Sequence, residues 1–334
     1  MSDRHCLSLL AVLVALLCVV SLCLGEQWTS LHDTLTLPFT QPDSVSAVIT
    51  REIRLPRTLI ALLAGMSLGV AGAAMQGLLQ NPLASPGLVG SASGAALGAV
   101  LVLYFFSQAL HPQAVPVAGM LGALLTTGLV YLLAGRDATV STLILAGVAI
   151  NALAAALLSL LLNLAPSPFA VRELVLWTLG DIADRSLEDV WVMLPCTLIG
   201  WIMLFGTGRS LDALTLGQRT ARSMGINLHR LSWRIFIAVS FCVGAAVATT
   251  GMIGFIGLVV PHLLRPFANY QPSRLLPLAA MGGGVMLLAA DISVRLITLY
   301  SSVPVPLKVG VLTALVGAPF FLVLILKSRR DYWQ

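Results

Sequence analysis

What this 334-residue chain has least of is charge. Asp, Glu, Lys and Arg make up 10% of it, against roughly 25% in soluble domains, so most of the chain does not face water. Acid is scarcest within the apolar stretches, where only Asp291 stands clearly near a span. Gradient-driven transporters rely on intramembrane carboxylates or broken-helix cation sites, so this scarcity argues against that class. The five histidines are scattered, and the five cysteines (Cys6, Cys18, Cys23, Cys196, Cys242) lie in apolar runs with no metal or disulfide spacing. A path for bare metal ions would concentrate such ligands, so any metal cargo is expected as a whole chelate. Pro261-His262 reads as a structural histidine among apolar neighbours. There is no G-x-x-x-x-G-K-[ST] and no H-E-x-x-H. Nucleotide hydrolysis therefore falls to another chain, and an intramembrane protease has no recognisable centre.

What is present is apolar. Hydrophobic residues account for 58%, with a mean hydropathy of +0.94. Apolar segments fall at 7–25, 57–79, 87–107, 114–134, 140–164, 190–207, 232–250, 252–267, 275–297 and 306–326. About 20 residues span a ~30 Å hydrocarbon core as helix. The expected fold class is therefore an all-α polytopic membrane protein with ten transmembrane helices. The eighth segment is the weakest, being short and carrying Pro261, His262 and Arg265. Residues 1–25 read as a first transmembrane helix, because their apolar stretch exceeds a typical signal-peptide core; a cleaved signal is the alternative. Ten spans put both termini on one side. With that side inside, 12 of the 19 basic residues lie inside and seven outside, as the positive-inside tendency prefers. Both termini are thus expected in the cytoplasm.

The halves resemble each other weakly. VAGAAMQG (70–77) matches VGAAVATT (243–250), and LAGVAINAL (145–153) matches KVGVLTALV (308–316). Five spans per copy is an odd number, so the second copy is inverted, a recurring transporter architecture. The expected organisation is one permease domain over 1–334, with repeat one at about 50–165 and repeat two at about 230–327. The stretch MQGLLQNPLASPGLVGSASGAALGAV (75–100) interrupts the apolar pattern with amides and prolines. Pro82 and Pro86 cannot continue a helix, so a turn is expected there. Gly87, Gly90, Gly94 and Gly98 then supply a low-bulk face on which helices approach closely.

RLPRTLIALLAGMSLGVAGAAMQGLLQNPLASPGLVG (54–90), LTLGQRTARSMGI (214–226), GMIGFIGLVVPHLLRP (251–266) and VGVLTALVGAPFFL (309–322) resemble the FecCD family, the membrane permeases of ABC importers. The resemblance runs from about residue 45 to the C-terminus. It implies a non-catalytic homodimer of ten-span subunits in the bacterial inner membrane. It further implies two cytoplasmic ATPase subunits and a periplasmic substrate-binding protein, with no resident cofactor, no metal site and no nucleic-acid partner. Ferric siderophore or haem is the expected cargo, with vitamin B12 and molybdate as alternatives. One departure stands out: where family members carry a pattern like E-x-P-V-G before the last helix, this chain has VPVPLKVG (303–310), with Lys308 and no acid.

Site expectations follow from the same resemblance. The segment 207–231 contains LGQRTARSMG, like the family's coupling helices. Leu216, Gly217, Ala221, Arg222, Met224 and Gly225 are expected to engage the ATPase, with glycines permitting the chain reversals; a charged loop held inside is the alternative. Arg54, Arg57 and Arg295 are expected to dock carboxylates of the binding protein, since guanidinium pairs bidentately with carboxylate. Snorkelling to headgroups is the alternative. Thr139, Ser141 and Thr142 stand at the expected cytoplasmic gate, or else cap a helix. Gly147, Asn151, Gly310 and Thr313 are expected along the path, although Asn151 could equally bond a neighbouring helix.

Overall fold

In lipid the backbone must satisfy its own polar groups, and a chain rich in Leu, Ala, Val and Gly does so as helices. The computed structural model describes residues 3–25, 29–106, 114–135, 140–165, 167–300 and 307–331. All regular structure among them is helical: α1 (Asp3–Cys23), α2 (Leu31–Thr40), α3 (Val45–Ile49), α4 (Leu55–Leu79), α5 (Ser91–Phe105), α6 (Ala114–Ala134), α7 (Val140–Asn163), α8 (Pro168–Thr178), α9 (Leu187–Leu204), α10 (Gly208–Leu214), α11 (Gln218–Ser223), α12 (Leu228–Thr250), α13 (Ile256–Leu264), α14 (Pro272–Tyr300) and α15 (Val309–Asp331). A π-helical turn, Thr50–Arg54, leads into α4.

Among the described residues, seven helical stretches are long and apolar enough to cross a membrane: α1, the run ending in α4, α6, α7, α9, α12 and α14. Helix α5 and the apolar part of α15, Val309–Val323, are shorter. The eighth expected span differs most. Helix α13 has nine residues, about 14 Å at 1.5 Å per residue, which is less than half of a hydrocarbon core. The cause is a break. Helix α12 ends at Gly251, with φ 71°, and the chain runs non-helically to Phe255, with φ 67°, before α13 begins. Such backbone is tolerated at membrane depth only where protein covers it or a cavity solvates it. Here Thr250 O accepts the N–H of Asp181 at 2.7 Å. A Cβ on Gly180 or Gly310 would press into the carbonyl of Met252.

Helix α4 is the axis. Its apolar window is 83% buried, against 28% for α7 at the rim. Small residues make that possible. A Cβ on Gly65 or Gly69 would collide with the carbonyls of Gly283 or Ala279 on α14, and one on Gly72 with Gly257 on α13. Helices α5 and α6 meet the same way, Gly94 against Gly122 and Gly98 against Ala118. In lipid, close packing of this kind replaces hydrophobic burial as the cohesive term. Two of the four glycines expected on the low-bulk face, Gly94 and Gly98, serve it. Gly90 instead turns the chain with φ 77°.

The proline-rich stretch between α4 and α5 is a hydrogen-bonded turn. Gln80 closes α4 in the left-handed region at φ 48°. The side-chain carbonyl of Asn81 accepts the N–H of Leu83 at 2.9 Å, an Asx-turn. Pro86–Val89 then forms a 3-10 turn. Ser93 donates to Asn151 Oδ1 at 2.5 Å, and Asn151 Nδ2 donates to Gly87 O at 2.8 Å.

Candidate functional site

Two ends of the bundle carry the expected site residues. At the first, Leu216, Gly217, Ala221, Arg222, Met224 and Gly225 lie on and beside α11. Gly217 (φ 99°) and Gly225 (φ 82°) flank it in backbone that favours glycine, and open space surrounds both. Leu216 and Met224 are 64% and 60% exposed, large apolar side chains held away from the chain's own core. Ala221 is the exception to the expected contact face. It is fully buried, and its carbonyl accepts the N–H of Ile226 at 3.1 Å. The six-residue helix must turn one side to its own chain, and the small Ala221 is what fits there.

This platform is tied to the bundle. Gln80 Nε2 donates to Leu214 O. Asp212 Oδ1 accepts the N–H of Ser273 at 2.8 Å, joining α10 to the start of α14. Arg234 on α12 donates to the carbonyls of Met203 and Phe205 at 2.6 and 2.7 Å. These bonds join α10, which directly precedes α11, to α4 and α14, and the end of α9 to α12.

At the opposite end, the three expected docking arginines turn inward. Arg54 is 6% exposed and donates to Leu22 O at 3.0 Å, Cys23 O at 3.2 Å and Thr29 Oγ1 at 2.6 Å. Arg57 Nη2 lies 2.8 Å from Asp291 Oδ1, and Arg295 Nη2 lies 2.5 Å from Asp291 Oδ2. Arg295 also donates to Ser21 O and Ser21 Oγ, at 2.8 and 3.0 Å. One buried carboxylate thus holds α4 and α14 together, and Arg295 fastens α1 to them. The i,i+4 spacing of Asp291 and Arg295 was the available sequence signal for part of this network.

Lys308, the departure before the last helix, bonds Asp181 Oδ2. Asp181 lies in the linker after α8, outside the spanning helices. Burial pushes its carboxyl up, but the Lys308 ammonium and the N–H of Ala183 outweigh this and hold it below the usual carboxylate range. The N–H of Gly310 donates to Gly180 O at 3.0 Å, so α15 starts clamped to that linker. Thr313 is buried and donates to Gly310 O at 3.0 Å. Within one subunit Gly310 and Thr313 are packing residues. Ser141 and Thr142 are exposed at the start of α7, Gly147 is buried, and Thr139 lies outside the described residues. Asn151 bonds its neighbours, accepting from Ser93 and donating to Gly87 O. His262 has its ring 6.0 Å from that of Phe320, and no group of three or more metal-ligating side chains occurs among the described residues.

A polytopic helical bundle with an exposed short-helix platform at one end, matched to the proteins below, is a membrane permease of the ABC-importer class. The FecCD transport family model matches residues 13–327, and the chain belongs to that family. It is 38% identical to the vitamin B12 import system permease protein BtuC of Vibrio cholerae, covering 93% of this chain and 91% of that one. It is 36% identical to BtuC of Citrobacter koseri, over 97% and 94% of the two chains. An inward-facing structure of an ABC transporter assigned to the metal-chelate type superposes with a TM-score of 0.84, at 29% identity, over 97% and 99% of the chains. PsaBC from Streptococcus pneumoniae in complex with Fab shares the fold at a TM-score of 0.56 and 14% identity, over 81% and 90%.

Proposed function

We propose that the chain is the permease subunit of a vitamin B12 importer, working as a homodimer in the bacterial inner membrane. The observation that carries an energy-coupled permease is the α10–α11 platform. It presents Leu216 and Met224 outward while Asp212, Gln80 and Arg234 anchor its surroundings to three helices. A cytoplasmic ATPase seated there moves the bundle as a body. The BtuC relatives favour vitamin B12 over the iron chelate expected from family frequency. A ferric chelate remains the second reading, because the neighbouring solved structure is of metal-chelate type.

The permease has ten spans, α13 with its extended lead-in 251–255 counting as one, and both termini lie in the cytoplasm. The inverted five-helix repeats are supported by paired contacts: α4 packs on α14 as α12 packs on α6, and α4 on α13 as α12 on α5. The path runs between protomers along α7 and α15, with Ser141 and Thr142 at its cytoplasmic constriction. The periplasmic binding protein docks at the Asp291 end. Arg57, the most exposed of the three arginines there, receives its carboxylate by exchange with Asp291.

The test of cargo is a titration of the cognate binding protein with cyanocobalamin, a ferric siderophore and haem, followed by docking to the permease in nanodiscs. Tight binding of cobalamin alone supports the reading. Tight binding of a ferric chelate with none of cobalamin overturns it in favour of the second.

A further inference from the structure

Beside the platform, and not used by the mechanism above, lies a cavity of about 320 Å³ with mixed polar and apolar walls. Its walls come from the end of α4 (Gln76, Gln80), the cap of α10 (Thr215), the end of α13 (Arg265), the following loop (Tyr270) and the start of α14 (Leu275). Arg265 is its one charged lining residue. Its Nη2 donates to Gln76 Oε1 at 2.5 Å, and among the described residues no carboxylate pairs with it. The Gln76 side chain is 2% exposed and spends its amide on Leu258 O at 3.3 Å. The nearby acid, Asp212, is occupied by the N–H of Ser273 and does not line the cavity.

The loop is held in costly backbone. Asn269 and Tyr270 both have positive φ, 50° and 60°, and the N–H of Tyr270 donates to Arg265 O at 3.1 Å. Non-glycine residues keep such geometry only where the surroundings enforce it. Leu263, Phe267 and Tyr270 are 51%, 43% and 69% exposed next to Arg265. Aromatic and apolar side chains flanking a cation at a helix end are the composition of a membrane–water interface, and basic pockets between helices at that level accept anionic headgroups.

We infer that the Arg265 cavity binds a phosphate group, that of one anionic phospholipid per subunit. Arg265 takes the phosphodiester oxygens, Thr215 and Tyr270 line the rim, and the acyl chains run past Leu263 and Phe267. The bound lipid wedges the α13–α14 loop against the platform, so that lipid occupancy and ATPase coupling share one joint.

The test uses the delipidated full-length permease in a neutral detergent, titrated with short-chain phosphatidylglycerol, matched phosphatidylcholine or inorganic phosphate. Binding is read by native mass spectrometry and thermal shift. The inference expects one retained phosphatidylglycerol per subunit and at least tenfold weaker binding of phosphatidylcholine. Arg265→Gln should weaken phosphatidylglycerol at least tenfold. So should Thr215→Trp, which fills the cavity from an exposed position and covers the case in which Arg265→Gln fails to fold. Arg209→Gln, which removes an exposed charge from α10, should stay within twofold. Displacement of the lipid by millimolar phosphate alone keeps the site and assigns it to soluble phosphate. Equal binding of the two lipids, or equal weakening by Arg209→Gln, overturns the inference and leaves Arg265 a structural residue facing the carbonyl end of α4. Loss of the retained lipid whenever the ATPase binds also overturns it, giving the cavity to the protein interface.

Discussion

At one end of the bundle Arg54, Arg57 and Arg295 are folded inward onto carbonyls, hydroxyls and the carboxylate of Asp291. At the other, Arg209, Arg219, Arg222 and Arg230 stand exposed around α10 and α11. Both ends read alike in sequence, as arginines next to apolar spans. For Arg57 and Arg295 the difference is one buried acid, whereas Arg54 is held by carbonyls and a hydroxyl. Desolvating a guanidinium is tolerable only when it is paired and hydrogen-bonded, and Asp291 supplies that pairing by accepting from two helices at once. The platform has no such buried acid: Asp212 is half-buried, and its Oδ1 accepts the backbone N–H of Ser273. Its arginines remain available to a partner, whereas those at the Asp291 end must first be released.

The sharpest way to break this contrast is Asp291→Ala. It leaves Arg57 and Arg295 adjacent with no counter-charge, and removing one partner of a buried pair costs about 3–5 kcal/mol. Folded yield and melting temperature in detergent should fall together. An unchanged melting profile would remove the network from the account.

Next comes a paired test within α11. Ala221→Asp forces a charge into a fully buried position and should destabilise by several kcal/mol. Met224→Asp, on an exposed side chain, should leave stability within about 0.5 kcal/mol while abolishing co-purification of the ATPase. Similar melting temperatures for the two variants would contradict the orientation assigned to α11.

A smaller effect is expected at Lys308. Its pair with Asp181 is mostly buried, with side chains 20% and 16% exposed. Lys308→Ala should cost about 1–2 kcal/mol, between exposed and buried pairs. The Asp181 carboxyl is depressed when folded. Its contribution is therefore complete above the unfolded value of about 3.9 and is lost as pH falls below that, through the folded value. Acid melts of the wild type should show an extra loss below about pH 4 that Lys308→Ala reduces. Parallel acid profiles for the two proteins would exclude the pair as its source.

The smallest effect is at Arg219 and Arg222. Replacing either with Ala should leave stability within about 0.5 kcal/mol and weaken only ATPase assembly, with the difference from wild type largest at low salt and shrinking at high salt.

How much of this was legible depended on the range of the interaction. Helix positions largely were, because span hydropathy is local: apart from the eighth, whose first residues are non-helical, the apolar segments fall on helices among the described residues. The turn at Gln80–Gly90 was also legible, since proline and glycine act on their own backbone. The break before α13 was not, because five non-helical residues are tolerated only once Trp177, Gly180 and Gly310 cover them. The pairing of Arg57 with Asp291 joins residues 234 apart, and that of Lys308 with Asp181 joins residues 127 apart. A single sequence marks such residues as unusual without naming their partners. The burial of Ala221 was missed for a related reason: a short helix with small and charged residues all round does not declare which side faces home.

The most direct test of the account is uptake of labelled cobalamin by proteoliposomes containing the permease, its ATPase and its binding protein. The account expects accumulation that requires ATP and all three components, and that Met224→Asp abolishes without loss of folded permease. Accumulation by the permease alone under a proton or sodium gradient would contradict it.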